Sequence, residues 1–306
     1  MGKKVIIIVG LPLFAKKMAL DLSEIDKSKT YLAFDTYYSL KDKILFFFTL
    51  PFSYLVISFN GVTDKSGTIE WVLRWKKKLI FQWMGTDALL AMERFKDGSI
   101  YRKYIDYATN FVDSPWQQDE VKSINLPIHI VPFKYGRELT PLKHYPKMAI
   151  FTYVAESRMV FYGWEKIKFA AQKFPLIEFR VSGLKSVTED YPSNIKLLGW
   201  LESEEMDNEI VSAPIFLRMT DHDGFSVTVI EALSVGAEVI WTHPSECVHW
   251  VKNEIELVNK IEELLKLIQN RNLSPSNENI NFSKKAYNKI ALLRNYGSNL
   301  ENLLNR

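Results

Sequence analysis

Two carboxylates, Asp223 and Glu231, bracket the part of the chain best equipped for chemistry, the stretch LRMTDHDGFSVTVIEALSVGAEVIWT at 217–242. Asp221, Asp223 and Gly224 form an acidic turn, and Val227, Ile230 and Leu233 then recur at helical spacing. The spacing predicts a helix over 225–235, ended by Gly236, and a strand over 238–241. Backbone N–H groups of Phe225, Ser226 and Val227 would stand unpaired at the helix start, beside the Ser226 and Thr228 hydroxyls, as a site for an anion. Glu231 lies about two turns further on. It is too far for that anion but within reach of vicinal hydroxyls such as those of a ribose. Asp223 and Glu231 can therefore hold the two ends of a nucleotide sugar. His222 would be a cation beside a phosphate if its acidic neighbours hold the proton on it, and a solvated turn histidine otherwise.

At these residues the chain resembles the retaining glycosyltransferases of family four, whose signature is E-x(7)-E followed by A-x-x-x-G-x-x-V-I. Here the pattern reads Asp223, seven residues, Glu231, then Ala232, Gly236, Val239 and Ile240, with an Asp one methylene shorter at the first acid. The resemblance implies an α/β fold of two Rossmann-like doubly wound domains facing a cleft, the GT-B architecture. It also implies a nucleotide-sugar donor as co-substrate with no other cofactor, and retention of configuration. Asp223 would then touch the donor sugar and Glu231 the ribose, with His222 beside them. Family members place an Arg and a Lys on the donor diphosphate through a loop reading roughly R-x(4)-K-G. In this chain Arg158 and Gly163 remain in a loop one residue shorter, and Tyr162 stands where the Lys would be. Arg158 can pair bidentately with a phosphate or form a surface salt bridge, and Gly163 would open a helix N-terminus. The second cation's duty would pass to Arg218 or to a lysine elsewhere. Ser182 and Gly183 end a strand, and Leu198-Gly199-Trp200-Leu201 matches the turn that touches the base, Trp200 either stacking on it or simply packing.

Other chemistries lack their residues. The five histidines show no H-x-x-x-H or H-E-x-x-H spacing and Cys247 is the one cysteine, so no metal site is implied. Neither a G-x-S-x-G elbow nor a P-loop occurs, which argues against hydrolase and kinase. A net charge of +3 divides unevenly, with 21 basic against 15 acidic residues over 1–146 and 18 against 21 over the remainder. The N-terminal half is thus expected to face something anionic. The stretch WVLRWKKKLIFQW at 71–83 mixes basic and aromatic residues. It reads as a solvated face or as contact with a membrane surface or anionic acceptor, and nucleic acid is not expected. The acceptor itself is left open among glycan, lipid and protein. A single cysteine fits a reducing, cytoplasmic setting, possible attachment to the inner membrane face included. The opening MGKKVIIIVG reads as a buried strand rather than a signal peptide, Ile6 breaks the myristoylation pattern starting at Gly2, and Pro51 interrupts the apolar run 44–59.

The elements that must position these groups alternate strand and helix. Strands are expected over 5–9, 31–34, 54–59, 79–83 and 128–132, with helices near 39–49 and 67–76, as in a doubly wound parallel sheet. Ligands bind at strand ends in such sheets. This selects Gly10, in a loop without G-x-G-x-x-G, together with Asp35, Asn60-Gly61 and the turn Gly85-Thr86-Asp87. The last three residues would serve the acceptor or a donor phosphate, or Asp87 would simply cap a helix starting at Ala88. Residues 134–147 mix charge, Gly and Pro without periodicity and read as an interdomain connection. A second alternating set follows, with strands over 148–154, 177–182, 195–198 and 215–218 and helices over 164–173, 203–211 and 254–269, then a polar loop and a closing helix from Lys284. The expected division is 1–140 for the acceptor domain, 141–283 for the donor domain, and 284–306 for a helix that, on the resemblance, crosses back. Two other functions fit the same fold: a non-catalytic module that binds nucleotide or glycan, and a nucleotide-sugar epimerase or phosphorylase.

Overall fold

The structure is a computed structural model that describes residues 3–304; Met1 and Gly2, on which the myristoylation reading falls, and Asn305 and Arg306 lie outside the described residues. It divides into two compact units: residues up to Lys134 together with those from Lys289 onward, and Tyr135–Asn288.

In the first unit the order is β1 (Lys4–Gly10), α1 (Pro12–Ile25), β2 (Lys29–Ala33), α2 (Leu40–Thr49), β3 (Ser53–Phe59), α3 (Gly67–Arg74), β4 (Lys78–Gln82), α4 (Thr86–Lys96), α5 (Arg102–Tyr107), β5 (Thr109–Val112), α6 (Pro115–Lys122) and β6 (Ile128–Ile130). All six strands are parallel, in the order β2-β1-β3-β4-β5-β6. Ile6, Ile7 and Ile8 are fully buried in β1, as a continuous β-branched run in a sheet covered on both faces should be. Ser39, Ser66 and Ser114 start α2, α3 and α6 by accepting the N–H of Asp42, Ile69 and Gln117. Short, polar α5 and α6 have no apolar periodicity to announce them in the sequence.

The second unit contains β7 (Ala149–Tyr153), α7 (Trp164–Lys173), β8 (Glu178–Ser182), β9 (Ile195–Gly199), α8 (Ser203–Ser212), β10 (Ile215–Arg218), α9 (Val227–Ser234), β11 (Glu238–Trp241), β12 (His249–Trp250), α10 (Glu254–Asn270) and α11 (Asn277–Ala286). Its six parallel strands run β12-β11-β10-β7-β8-β9. Alternate strand residues face opposite ways. Ile150, Ile215, Leu217 and Ile240 join α7 and α10 in one core cluster, while Phe151 and Phe216 pack ring to ring at 5.9 Å outside it.

The last helix, α12 (Lys289–Leu304), belongs with the first unit. Leu293, Tyr296 and Leu300 are fully buried, Lys289 pairs with Asp21 of α1 at 2.7 Å, and Lys29 pairs with Glu301 at 2.9 Å. The closing helix expected from Lys284 is therefore two helices, and the units divide at 134/135 and 288/289 rather than at 140/141 and 283/284. The stretch expected to be a polar loop folds as α11. Beside Ile280, its buried face is polar: Ser276 accepts the N–H of Asn279, whose Nδ2 donates to the Ala237 carbonyl, and the Ser283 hydroxyl donates to that of Ile230. A helix buried through hydrogen bonds has no hydrophobic stripe for sequence periodicity to find.

At the start of β8, Glu178 meets Lys147 at 2.8 Å, Arg180 at 2.7 Å and Lys196 at 3.1 Å. Burial alone would raise its pKa, but the three cations hold the carboxyl down, at about 2. A depressed acid stabilises the fold above the ordinary carboxylate pKa, and that contribution is lost as pH falls through the folded value. Thermal melts should therefore show Glu178→Gln below wild type at pH 7, with the gap closing as the pH is taken from about 4.5 towards 2. A gap that does not change with pH would assign the loss to packing instead of charge.

Candidate functional site

In the second unit β7 and β10 lie side by side, yet the chain leaves β7 towards β8 and leaves β10 towards β11. The loops after them diverge, and the crevice at such a reversal is where open α/β sheets take ligands. Those loops, 154–163 and 219–226, contain Arg158, Gly163, His222, Asp223, Gly224, Phe225 and Ser226. They are knitted together. The Asp221 N–H donates to the Phe161 carbonyl at 2.9 Å, and the Thr152 hydroxyl donates to that of Leu217 at 2.9 Å. Gly163, at the N-cap of α7, has φ 73°, and a Cβ there would stand 2.4 Å from the Met219 carbonyl oxygen. Only glycine satisfies both the left-handed backbone and that approach.

Around this crossing stand a stacked cation, Arg158, and two ion pairs, Arg218 with Asp223 and Lys166 of α7 with Asp221 at 3.3 Å. Arg158, in the turn Glu156–Arg158, is exposed with its guanidinium 3.9 Å from the Phe161 ring centroid, and among the described residues it forms no ion pair. Arg218 lies 5.3 Å from the ring of Tyr162 and donates from Nε to Asp223 Oδ2 at 2.7 Å, with the Thr220 hydroxyl 3.4 Å from the same oxygen. The position that lacks the expected Lys thus borders a second arginine, whose charge Asp223 partly offsets. His222 is buried rather than solvated, its ring 6.4 Å from that of His243 and perpendicular to it. Helix α9 begins at Val227, two residues later than expected, because Ser226 keeps an extended backbone at φ −81°, ψ 123°. The amides of its first turn are those of Val227, Thr228 and Val229, and Phe225 packs its ring against Trp241 and Tyr287. Gly224 is buried in the loop.

Glu231 has a partner that the sequence reading missed. Its carboxylate is 3% exposed and takes Arg137 in fork geometry, Nε to Oε1 at 2.8 Å and Nη2 to Oε2 at 3.0 Å, with the Arg137 backbone N–H also on Oε1 at 3.1 Å. Nη1 reaches the Ser203 carbonyl at 3.3 Å and pairs with Asp207. Gly136 allows this approach, since a Cβ there would be 2.7 Å from Glu231 Cγ. Glu231 therefore meets a guanidinium where open hydroxyl acceptors were expected. The Glu231 carboxylate also raises the pKa of Arg137, which keeps the fork charged. The only sequence signal was a Gly-Arg pair in a connection that otherwise reads as a linker.

On the next two strands, Ser182 is buried with its hydroxyl towards the Thr152 carbonyl, so it offers little to a ligand. Gly183 donates its N–H to the Gly199 carbonyl at 2.7 Å, and Gly199 donates to that of Leu184 at 2.8 Å. Trp200 is 76% exposed, which makes it available for stacking rather than simply packed. In the first unit the winding reverses between β1 and β3, and a cavity of about 620 Å³ opens there. Gly10, Asn60, Gly61 and Asp87 line it, with Lys65 and Arg94 on its wall. Gly10 has φ 99° and a Cβ there would be 2.4 Å from the Phe59 carbonyl oxygen. Gly85 (φ 133°) caps α4 and Thr86 opens it, so Asp87 lies inside the first turn instead of capping it. Its carboxylate accepts N–H bonds from Gly61 at 2.6 Å, Gly85 at 2.8 Å, Met84 at 2.9 Å and Ala88 at 3.1 Å. Burial raises its pKa against those four donors. It ties two strand ends together. Among the described residues no group of three or more His, Cys, Asp or Glu is placed to hold a metal ion.

Glu231 is buried but the Arg137 side chain is 40% exposed, so removing the guanidinium leaves the carboxylate only partly uncompensated, at a cost of about 2 kcal/mol. Chemical denaturation should show Arg137→Ala destabilised by about that amount, with part of it recovered when Glu231→Gln is added. Equal stability of Arg137→Ala and wild type would mean that water already serves Glu231.

No family model and no curated protein matches the sequence. Solved structures do match. Sucrose-phosphate synthase from Thermosynechococcus elongatus superposes with a TM-score of 0.72 over 98% of this chain and 99% of that one, at 11% identity. The pneumococcal O-GlcNAc transferase GtfA, solved with UDP and GlcNAc, gives 0.60 at 14% identity over 87% of this chain, which spans 60% of its length. UDP-GlcNAc 2-epimerase from Neisseria meningitidis, bound to UDP-GlcNAc, gives 0.57 at 13% identity over 99% of this chain and 100% of that one. The fold, two six-stranded parallel sheets each flanked by helices, is that of the GT-B proteins.

Proposed function

We propose that the chain is a glycosyltransferase that draws a sugar from a nucleotide diphosphate donor bound at the β7/β10 crossing of the second unit and passes it to an acceptor held by the first. The observation that carries this is the convergence of Arg158, Arg218 and the N-termini of α7 and α9 on two loops locked together through Gly163. A departing diphosphate gains negative charge as its bond to the sugar breaks. Oriented N–H groups and arginines stabilise that charge with no need for a metal ion. Asp223, held by Arg218, would face the donor sugar, and a ribose would reach Glu231 by sharing or displacing Arg137. Retention of configuration is expected on the resemblance.

A non-catalytic module that binds nucleotide is the second reading. It is favoured by the occupied Glu231 and by Tyr162 at the position of the Lys.

Thermal-shift titration with UDP, GDP, ADP and CMP separates these from failure. UDP is the first choice because it is named in the structures of GtfA and the epimerase. One nucleoside diphosphate should stabilise the protein, by about 2.7 kcal/mol at a hundredfold excess over Kd. Arg158→Ala should weaken that diphosphate about tenfold while leaving the free nucleoside unaffected. Nucleotide binding without release of sugar from any nucleotide sugar would select the module. A folded protein stabilised by none of them would remove both readings.

A further inference from the structure

The oddest surface of the first unit is α2. Its sequence LKDKILFFFT places Leu40, Ile44, Phe47 and Phe48 at i, i+4, i+7 and i+8, one stripe of a helix, and such a stripe normally faces a core. Here it faces outward. Leu40 is 73% exposed and Phe48 67%, Ile44, Leu45 and Phe47 are exposed too, and Phe46 is the one buried residue of the helix. The apolar surface continues: Phe47 meets Trp71 of α3 edge to face at 4.8 Å, Trp75 lies one turn beyond Trp71 and is exposed, and Phe52, in the turn Leu50–Phe52, is 78% exposed. Exposed cations are interleaved with these rings. Lys41 and Lys43 belong to α2, Arg74 stacks on Trp71 at 5.4 Å, and Lys76 follows Trp75. Among the described residues none of the four is in an ion pair.

We propose that the face formed by α2, the turn Leu50–Phe52 and α3 docks on an anionic lipid bilayer, and that the adjoining cavity receives the polar head of a lipid from it. Aromatic rings and aliphatic side chains mixed with lysines suit the boundary between headgroups and acyl chains, where rings sink and cations meet lipid phosphates. A helix of ten residues is about 15 Å long, so α2 lies in that boundary and does not cross it, and no helix among the described residues is long and apolar enough to span. A second copy is a poor occupant. Two-fold pairing would set the same four cations against one another. Lys43, Phe46, Phe47 and Trp71 also line the cavity, whose other walls carry Thr63, Lys65, Ser66, Thr68 and Arg94. Its lining mixes these rings with hydroxyls, with Lys43, Lys65 and Arg94, and with Asp64, which pairs with Arg94, and the buried Asp87, so it fits an amphiphile with a hydroxyl-rich head. This last step rests on the transferase reading and makes the acceptor a lipid; the docking itself does not depend on it.

The test is co-sedimentation with phosphatidylcholine vesicles and with vesicles that also contain phosphatidylglycerol. Wild type should bind the anionic vesicles, less at high salt, and bind phosphatidylcholine weakly. Leu40→Ser/Phe48→Ser, both at exposed positions, should reduce binding at least about tenfold, and Lys41→Glu/Lys76→Glu should abolish the preference for anionic lipid. Melting temperatures of both variants check that the fold is kept. Absence of wild-type binding, unchanged binding by the variants, or a concentration-dependent dimer in light scattering that Leu40→Ser/Phe48→Ser dissolves would each overturn the proposal. Nucleotide stabilisation, measured on the same samples, reads the second unit separately. Vesicle binding without it keeps the docking and removes the transferase, whereas nucleotide binding without vesicle binding does the reverse.

Discussion

A parallel strand cannot be joined to its neighbour by a tight turn; the chain must leave one end of the sheet, cross a face and return to the other end. When the winding direction reverses, two successive crossovers part and leave a crevice at the carboxyl ends of two adjacent strands. Both units have this feature. In the first it falls between β1 and β3, where Gly10 lets the backbone of Phe59 come close and Gly61 makes room for the Trp83 ring, and in the second between β7 and β10, where Gly163 admits the Met219 carbonyl. The polar side chains collected at these crevices follow from the geometry. Each strand end presents backbone groups and helix starts to the same volume, and the sheet behind it is apolar.

Much of this was legible in the sequence because it is written in local codes. Buried parallel strands such as β1 are continuous apolar runs, and the helix between Gly224 and Gly236 is bounded by glycines and carries apolar residues at its own period. The unread parts are those whose code is not local. Helix α11 is buried through Ser276, Asn279 and Ser283, residues that elsewhere signal loops. Arg137 finds Glu231 across 94 positions of sequence, and a lone Arg in a charged segment does not name its partner. Asp87 read either as a ligand contact or as a cap, since Asp before an apolar run is often one, and its distant bond to Gly61 gives it a role that neither reading contained. The two-residue delay in α9 is a backbone decision at Ser226 that no side-chain pattern records.

Charge is the common element of the second unit's crevice, and it is mostly spent internally. Arg218 holds Asp223, Lys166 holds Asp221 and Arg137 holds Glu231, which leaves Arg158 as the stacked, exposed cation of the loop. Burying two carboxylates without partners would be costly, so the fold supplies each with a guanidinium. On the proposed function, an anion arriving at the helix starts would compete for Arg218, and a polyol arriving at Glu231 would compete with Arg137. Occupancy and local stability would thereby be coupled, and the affinity of such a ligand would be reduced by whatever those internal pairs contribute.

The return of α12 to the first unit has a consequence for the order in which the protein is made. A ribosome releases β1 to β6 early, but the buried Leu293 and Leu300, and Tyr296 with its ring against Phe111 and Phe133, emerge only after the entire second unit has been synthesised. Until then part of the apolar surface of the first sheet is bare. The second unit, contiguous from Tyr135 to Asn288, can complete itself first even though it is translated later. The first unit is therefore the one that cannot close until the last residues of α12 are made, although it holds the earliest strands.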